Sequence, residues 1–123
     1  MKTTFLILAV ASGLSLTACT AQPSVAAEDR SNIKTVVKDP ETALVDVRIP
    51  SEFQAGTAHG ATNIPLAEIE NNLDFFRQHK KVVVFCNRGR QANEAIEILK
   101  KNGITNVETG ITWKNVKAIQ EEK

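Results

Sequence analysis

The sequence is poor in several residue types, and each scarcity narrows the possible structures and functions. Aromatic residues make up only 5% of the 123 residues, so aliphatic side chains must fill the core. Two histidines and two cysteines, scattered along the chain, make a poor zinc site, and we predict no metal site. The formal net charge is only +1, which does not favour nucleic acid as a partner. The overall composition, with 42% hydrophobic and 24% charged residues, is typical of one globular domain.

The first residues indicate a targeting segment rather than part of the fold. Lys2 precedes an apolar run from Phe5 to Leu16. This run is too short to span a bilayer comfortably and is typical of a secretory signal. It ends in Leu16-Thr17-Ala18-Cys19, which resembles the bacterial lipobox. The resemblance implies cleavage before Cys19 and lipidation of this residue, and the alternative is an ordinary secretory signal cut later, with Cys19 discarded.

We therefore divide the chain into a lipoprotein signal peptide over residues 1–18, a tether over 19–30 and one domain over 31–123. Thr20 rather than an aspartate follows Cys19, so the lipobox resemblance implies a periplasmic protein that is lipid-anchored to the outer membrane. We expect a monomer that touches the membrane through its anchor only. Cys86 is then the only thiol of the mature protein. An unpaired cysteine in an oxidising compartment favours a functional over a structural role.

Short apolar runs alternate with helical patterns along the domain. Continuous apolar runs at 43–47 and 82–85 are typical of strands buried on both faces. Short strands are also predicted at 61–64 and from Val107. Helices are predicted at 31–38, from Pro50, over 66–79 with a break at Asn71-Asn72, at 91–101 and at 112–121. The alternation predicts an α/β domain with a small, mostly parallel sheet and helices on both faces.

The stretch VVVFCNRGRQ places Cys86 where a buried strand ends. Ligands of open α/β sheets bind beyond the carboxyl ends of strands, and the next residues lead into the helix predicted from Gln91. Loop N–H groups and the positive helix end would form an anion site there, and Gly89 allows a positive φ or a close approach. The same field, with Arg88 and Arg90, favours the thiolate of Cys86. Because cations are unfavourable at a helix N-terminus, the two arginines indicate a functional purpose.

Three motifs resemble those of single-domain rhodaneses, in particular the small periplasmic phage-shock type. They are LVDVRIPSEF at 44–53, GATNIP at 60–65 and CNRGRQ at 86–91. The resemblance implies a rhodanese-like fold and thiosulfate sulfurtransferase activity, with Cys86 catalytic. It also implies a substrate-binding loop formed by Asn87, Arg88, Gly89, Arg90 and Gln91. The chain departs from the family at Thr57, where many members have histidine, and at Gln91, where many have arginine.

Asp46 and Arg48 are assigned supporting roles behind this loop, and Arg48 is predicted to pair with Glu52 near the strand end. The mechanism that the resemblance implies needs no cofactor: the Cys86 thiolate takes the outer sulfur of thiosulfate or a related anionic donor, and cyanide or a thiol acceptor removes it. Two alternatives stay open. One is a non-catalytic persulfide carrier or interaction module at the membrane. The other is an arsenate reductase or phosphatase, whose chemistry requires arginine six positions after the cysteine, where this chain has Ala92.

Overall fold

The computed structural model describes Gly13 and residues 25–123. Within them, four strands form one parallel sheet in the order β2-β1-β3-β4. The strands are β1 Thr42–Asp46, β2 Thr62–Asn63, β3 Lys81–Cys86 and β4 Val107–Thr112. The helices are α1 Val25–Lys38, α2 Pro50–Ala55, α3 Leu73–Gln78, α4 Arg90–Lys101 and α5 Trp113–Glu121, with a 3₁₀ helix at Leu66–Asn72. The prediction of an α/β fold built on a parallel sheet is confirmed.

The helices differ from the sequence prediction most at two places, and the other boundaries differ by at most one residue. Helix α1 begins at Val25, ahead of the predicted start at Ser31, so it includes part of the segment predicted as a tether. Alanine is the strongest helix former, and acidic residues near a helix start are favourable, which suits the Ala-Ala-Glu-Asp run there. The predicted break at Asn71-Asn72 is present, but the part before it is a 3₁₀ helix rather than an α-helix.

The predicted signal peptide and the lipidation at Cys19 lie outside the described residues, apart from Gly13. None of the helices in the described part of the chain has the length and apolar character that crossing a bilayer requires.

The sheet has a hydrophobic core on each face, and successive residues of β3 serve the two cores in turn. Val82, Val84 and Cys86 face one side, where they pack with α4 and the 3₁₀ helix. Val83 and Phe85 face the other side, against α1 and α5. All five side chains are at most 2% exposed. Fully burying one such hydrophobic side chain contributes about 1.5–3 kcal/mol, so β3 is held firmly from both sides.

A bulge interrupts the pairing of β3 with β4 close to the end of β3. Val84 pairs with Thr109 but Phe85 pairs with Ile111, which leaves Gly110 as the extra residue. A Cβ at Gly110 would lie 2.5 Å from Val116 Cγ2 on α5, so only glycine lets this helix approach so closely. Ile111 has a φ of 68°, a left-handed conformation that is a genuine outlier for a β-branched residue.

Candidate active site

Cys86 is the last residue of β3, and its sulfur is held between the loop that follows and the bulge of β4. The backbone N–H of Gly89 donates to Cys86 Sγ over 3.0 Å. The carbonyl oxygen of Ile111 lies 3.7 Å from the same sulfur, within reach of the thiol hydrogen. The residue is only 2% exposed, and it lines a pocket of about 580 Å³. The sulfur is therefore fixed by its neighbours and faces this pocket.

The loop after Cys86 places the N-terminus of α4 next to the sulfur. Gly89 is the residue before the helix and has a φ of 89°, so the predicted left-handed glycine is confirmed. A Cβ on this glycine would lie 3.1 Å from Ile111 Cγ2, which adds crowding to the backbone strain. No side chain caps the helix. The amides of Arg90 and Gln91 lie in its first turn, where a helix offers no internal acceptor, and they remain able to donate to an anion.

The pocket brings together five of the six loop residues that the sequence predicted. Its lining consists of Glu52, Leu66, Cys86, Asn87, Arg88, Arg90, Gln91 and Glu94. The sixth residue, Gly89, donates its N–H to the sulfur. Gly89 also lines a second groove of about 910 Å³, together with Ile98 and Ile111.

The charges in the pocket are more balanced than the loop sequence suggests. Arg90 Nε lies 3.2 Å from Glu94 Oε1, one helical turn along α4. Arg88 makes no ion pair or side-chain hydrogen bond with another described residue. Glu52 is half-buried and equally unpartnered within the described part of the chain. The predicted pairing of Arg48 with Glu52 is wrong, because the Arg48 guanidinium pairs with Asp46 instead.

Arg48 lies beneath the loop, where it connects three parts of the fold. Its guanidinium donates to both carboxylate oxygens of Asp46, with Nη2 2.6 Å from Oδ2 and Nε 3.0 Å from Oδ1. It also donates to the carbonyl of Gly56 at 2.6 Å and to Asn87 Oδ1 at 3.0 Å. Asp46 is fully buried and Arg48 is 3% exposed. The pair thus joins the end of β1 to α2 and to the residue that follows Cys86.

Two further residues complete this support, and their contacts could not be read from the sequence. The hydroxyl of Thr57 donates to Asp46 Oδ2 over 2.8 Å. The ring of Trp113 lies against Arg48, with its centroid 5.2 Å from Arg48 Cζ, a cation–π distance. Thr57 occupies the position where many rhodaneses have histidine, and in this chain its hydroxyl is a donor to Asp46.

Beyond this site, the described residues contain no cluster of three or more His, Cys, Asp or Glu side chains that could hold a metal ion. His59 is exposed and lies near Glu121 on α5, whereas His79 contacts the carbonyl of Phe75. Neither histidine lines the pocket of Cys86.

Comparison with known proteins agrees with this geometry. The chain matches the family described as "Rhodanese-like domain" over residues 29–113. It is 39% identical over 74 residues to "Thiosulfate sulfurtransferase PspE" of Escherichia coli strain K12, covering 58% of this chain and 71% of that one. It is 38% identical over 64 residues to YqhL of Bacillus subtilis, an uncharacterized protein; the match covers 52% of this chain and 51% of YqhL.

Solved structures resemble the fold as well. A rhodanese from E. coli, solved with anions, superposes with a TM-score of 0.55 and 38% identity, covering 60% of this chain and 89% of that one. The human single-domain sulfurtransferase TSTD1 superposes with a TM-score of 0.59, covering 76% of this chain and 94% of that one; at 23% identity it supports the fold alone. Because the family match spans more than half of its length, the chain belongs to the rhodanese-like domain family.

Proposed function

We propose that the protein is a sulfurtransferase that moves a sulfane sulfur from thiosulfate or a related donor to cyanide or a thiol acceptor. The observation that carries this proposal is the position of Cys86 Sγ, which accepts a hydrogen bond from the Gly89 N–H at the start of α4 and faces a pocket containing two guanidinium groups. Similarity to a relative named thiosulfate sulfurtransferase supports it.

In the first step the Cys86 thiolate attacks the outer sulfur of thiosulfate. The sulfur–sulfur bond of thiosulfate breaks, and sulfite leaves with the electron pair. Cys86 now carries a persulfide whose outer sulfur is negatively charged. The first-turn amides of α4 are placed to donate to this anion, and Arg88, which has no partner among the described residues, is available to the sulfonate oxygens.

In the second step an acceptor thiolate or cyanide attacks the outer sulfur of the persulfide. The bond between the two sulfurs breaks, and Cys86 leaves as the thiolate that began the cycle. Dividing the transfer into two displacements at one nucleophile is ordinary covalent catalysis. No metal or organic cofactor takes part.

The phosphatase or arsenate reductase alternative is disfavoured by the residue six positions after Cys86. That residue, Ala92, is fully buried in α4 and provides no guanidinium to clamp a tetrahedral oxyanion. A persulfide carrier would share the site, and turnover separates the two: an enzyme discharges to cyanide repeatedly, whereas a carrier loads once and waits for its partner protein.

The test is to incubate the reduced chain with thiosulfate, measure its intact mass, and then follow thiocyanate formation from cyanide. The wild type should gain one sulfur atom and turn over repeatedly, and Cys86→Ser should do neither. Arg88→Ala and Arg90→Ala should both raise the KM for thiosulfate, and Arg88→Ala should raise it more because Arg90 is partly neutralised by Glu94. An unchanged mass of the reduced wild-type chain would contradict the proposal.

We also propose that the chain is exported to the periplasm and anchored to the outer membrane through a lipid on Cys19. We further propose that it acts as a monomer on small molecules rather than on nucleic acid. The lipobox-like sequence at 16–19 supports this. An alkyne fatty acid fed to cells should label the wild-type chain and not Cys19→Ser. Labelling of neither chain, with both exported, would favour an ordinary secretory signal instead.

A further inference from the structure

The pocket that contains Cys86 carries as many carboxylates as guanidinium groups. Arg88, Arg90, Glu52 and Glu94 all line it, so these four side chains together carry no net formal charge. Arg90 and Glu94 are paired with each other at 3.2 Å. Glu52 and Arg88 are left, and neither has an ion-pair or side-chain hydrogen-bond partner among the described residues. The pocket therefore presents one available anion and one available cation.

Glu52 is out of place in a pocket that serves only anionic donors. The residue is half-buried, and no side chain among the described residues pairs with its carboxylate. It also repels a thiosulfate dianion, since like charges at close range raise each other's energy. A ligand that brings a cationic group would give this carboxylate a partner and turn the repulsion into attraction. The unpartnered carboxylate thus points to a cationic group on a substrate other than thiosulfate.

We propose that the acceptor in the second step is a small α-amino-acid thiol, whose ammonium group pairs with Glu52 and whose carboxylate pairs with Arg88. This inference rests on the sulfurtransferase function proposed above. A volume of about 580 Å³ lies within the range of small-molecule sites, about 300–1,000 Å³, and far exceeds the needs of cyanide. The 2% exposure of Cys86 favours a small thiol over a cysteine on the surface of a folded protein.

The chemical step is a displacement at sulfur. The acceptor thiol gives up its proton to solvent, and the anionic outer sulfur of the Cys86 persulfide takes one up from solvent. The acceptor thiolate then attacks this protonated outer sulfur. The bond between the outer sulfur and Cys86 Sγ breaks, and Sγ keeps the electron pair as a thiolate. The product is the persulfide of the amino-acid thiol. No external oxidant or reductant is needed, because the sulfur is transferred at an unchanged oxidation level.

The experiment loads the full chain with thiosulfate, removes the excess, and measures discharge of the persulfide by four short thiols. These are 2-mercaptoethanol, cysteamine, 3-mercaptopropionate and cysteine, which carry no charge, an ammonium, a carboxylate and both. Rates are expressed per thiolate present, because the four thiols differ in acidity. The concentration at half-maximal rate should be lowest for cysteine, about fivefold or more below that of 2-mercaptoethanol, the upper end of what one partly exposed ion pair contributes.

Substitutions in the pocket separate the two charges. Glu52→Gln should raise the half-saturating concentration of cysteine and cysteamine about fivefold relative to that of 2-mercaptoethanol, and it should lower the KM for thiosulfate. Glu52→Lys should shift the preference from cysteamine to 3-mercaptopropionate. Arg88→Gln should weaken cysteine and 3-mercaptopropionate selectively. Glu70→Gln is the matched control, because Glu70 is an exposed carboxylate outside the pocket.

The outcomes distinguish this inference from the function on which it rests. A chain that loads with sulfur but discharges to all four thiols with equal half-saturation contradicts the amino-acid acceptor alone. Equal effects of Glu52→Gln on charged and uncharged thiols also contradict it, because a merely structural role would act on both alike. A chain that never acquires the persulfide overturns both proposals together.

Discussion

Replacing Arg48 with methionine should destabilise the protein far more than the loss of any exposed charge. Arg48 donates to Asp46 through Nε and Nη2, to the Gly56 carbonyl and to Asn87, and both members of the ion pair are buried. Methionine keeps most of the side-chain volume and leaves Asp46 as a buried charge. Removing one partner of such a pair costs about 3–5 kcal/mol, a large part of a typical stability of about 5–15 kcal/mol.

The assay is equilibrium unfolding in urea, followed by circular dichroism. With a slope of about 2 kcal/mol per molar, a loss of about 4 kcal/mol lowers the midpoint by roughly 2 M. Asp46→Asn combined with Arg48→Met removes both charges, so this double variant should be more stable than Arg48→Met alone, by about 1–3 kcal/mol.

The matched control is Arg77→Met, which removes an arginine from an exposed pair with Asp74. This pair is worth at most about 0.5 kcal/mol, so the midpoint should barely move. The reasoning is refuted if Arg48→Met costs as little as Arg77→Met, or if the double variant is no more stable than the Arg48 single variant.

Three glycine and bulge variants test the frame around Cys86. Gly89→Ala places a Cβ against Ile111 at a positive φ and should move the Gly89 N–H away from Cys86 Sγ. The rate of sulfur loading, measured as intact mass against time, should therefore fall at least tenfold. An unchanged rate would show that this hydrogen bond is dispensable. Gly110→Ala should lower the free energy of unfolding in urea by more than about 3 kcal/mol, because α5 must move away from the sheet. The control Gly60→Ala, whose Cβ meets no neighbour, should lower it only by the roughly 1–2 kcal/mol that a left-handed backbone costs. Equal losses for the two variants would contradict the close approach of α5 to Gly110. Ile111→Gly should relieve about 1–2 kcal/mol of backbone strain in urea unfolding, and a variant that gains no stability would contradict strain at this bulge.

The sheet and the loop around Cys86 could be predicted because their signals are local. The apolar run 82–85 predicts a buried strand, and the polar stretch after Cys86 leads directly into an amphipathic helix. Gly89 is also predictable, since a loop that turns a backbone N–H back to the preceding strand end needs a residue that tolerates positive φ.

The support beneath the loop could not be predicted in the same way. Arg48 and Glu52 are four residues apart, a spacing that favours an ion pair within a helix. Helix α2 begins only at Pro50, however, so Arg48 lies before it and its guanidinium turns toward Asp46 and Asn87 instead. The bulge at Gly110 likewise depends on α5 packing on the sheet, which no pattern within β4 reveals.

The burial of Cys86 limits which oxidation reactions its unpaired thiol can undergo. Two copies of the chain cannot cross-link through this residue without opening the loop, because a sulfur that is 2% exposed does not reach the surface of another folded molecule. Because Cys86 lines a pocket of about 580 Å³, we expect small reagents such as hydrogen peroxide to reach it. We therefore expect oxidation of Cys86 by small oxidants rather than formation of disulfide-linked dimers. When Cys86 carries a persulfide, the outer sulfur would be oxidised in place of Sγ.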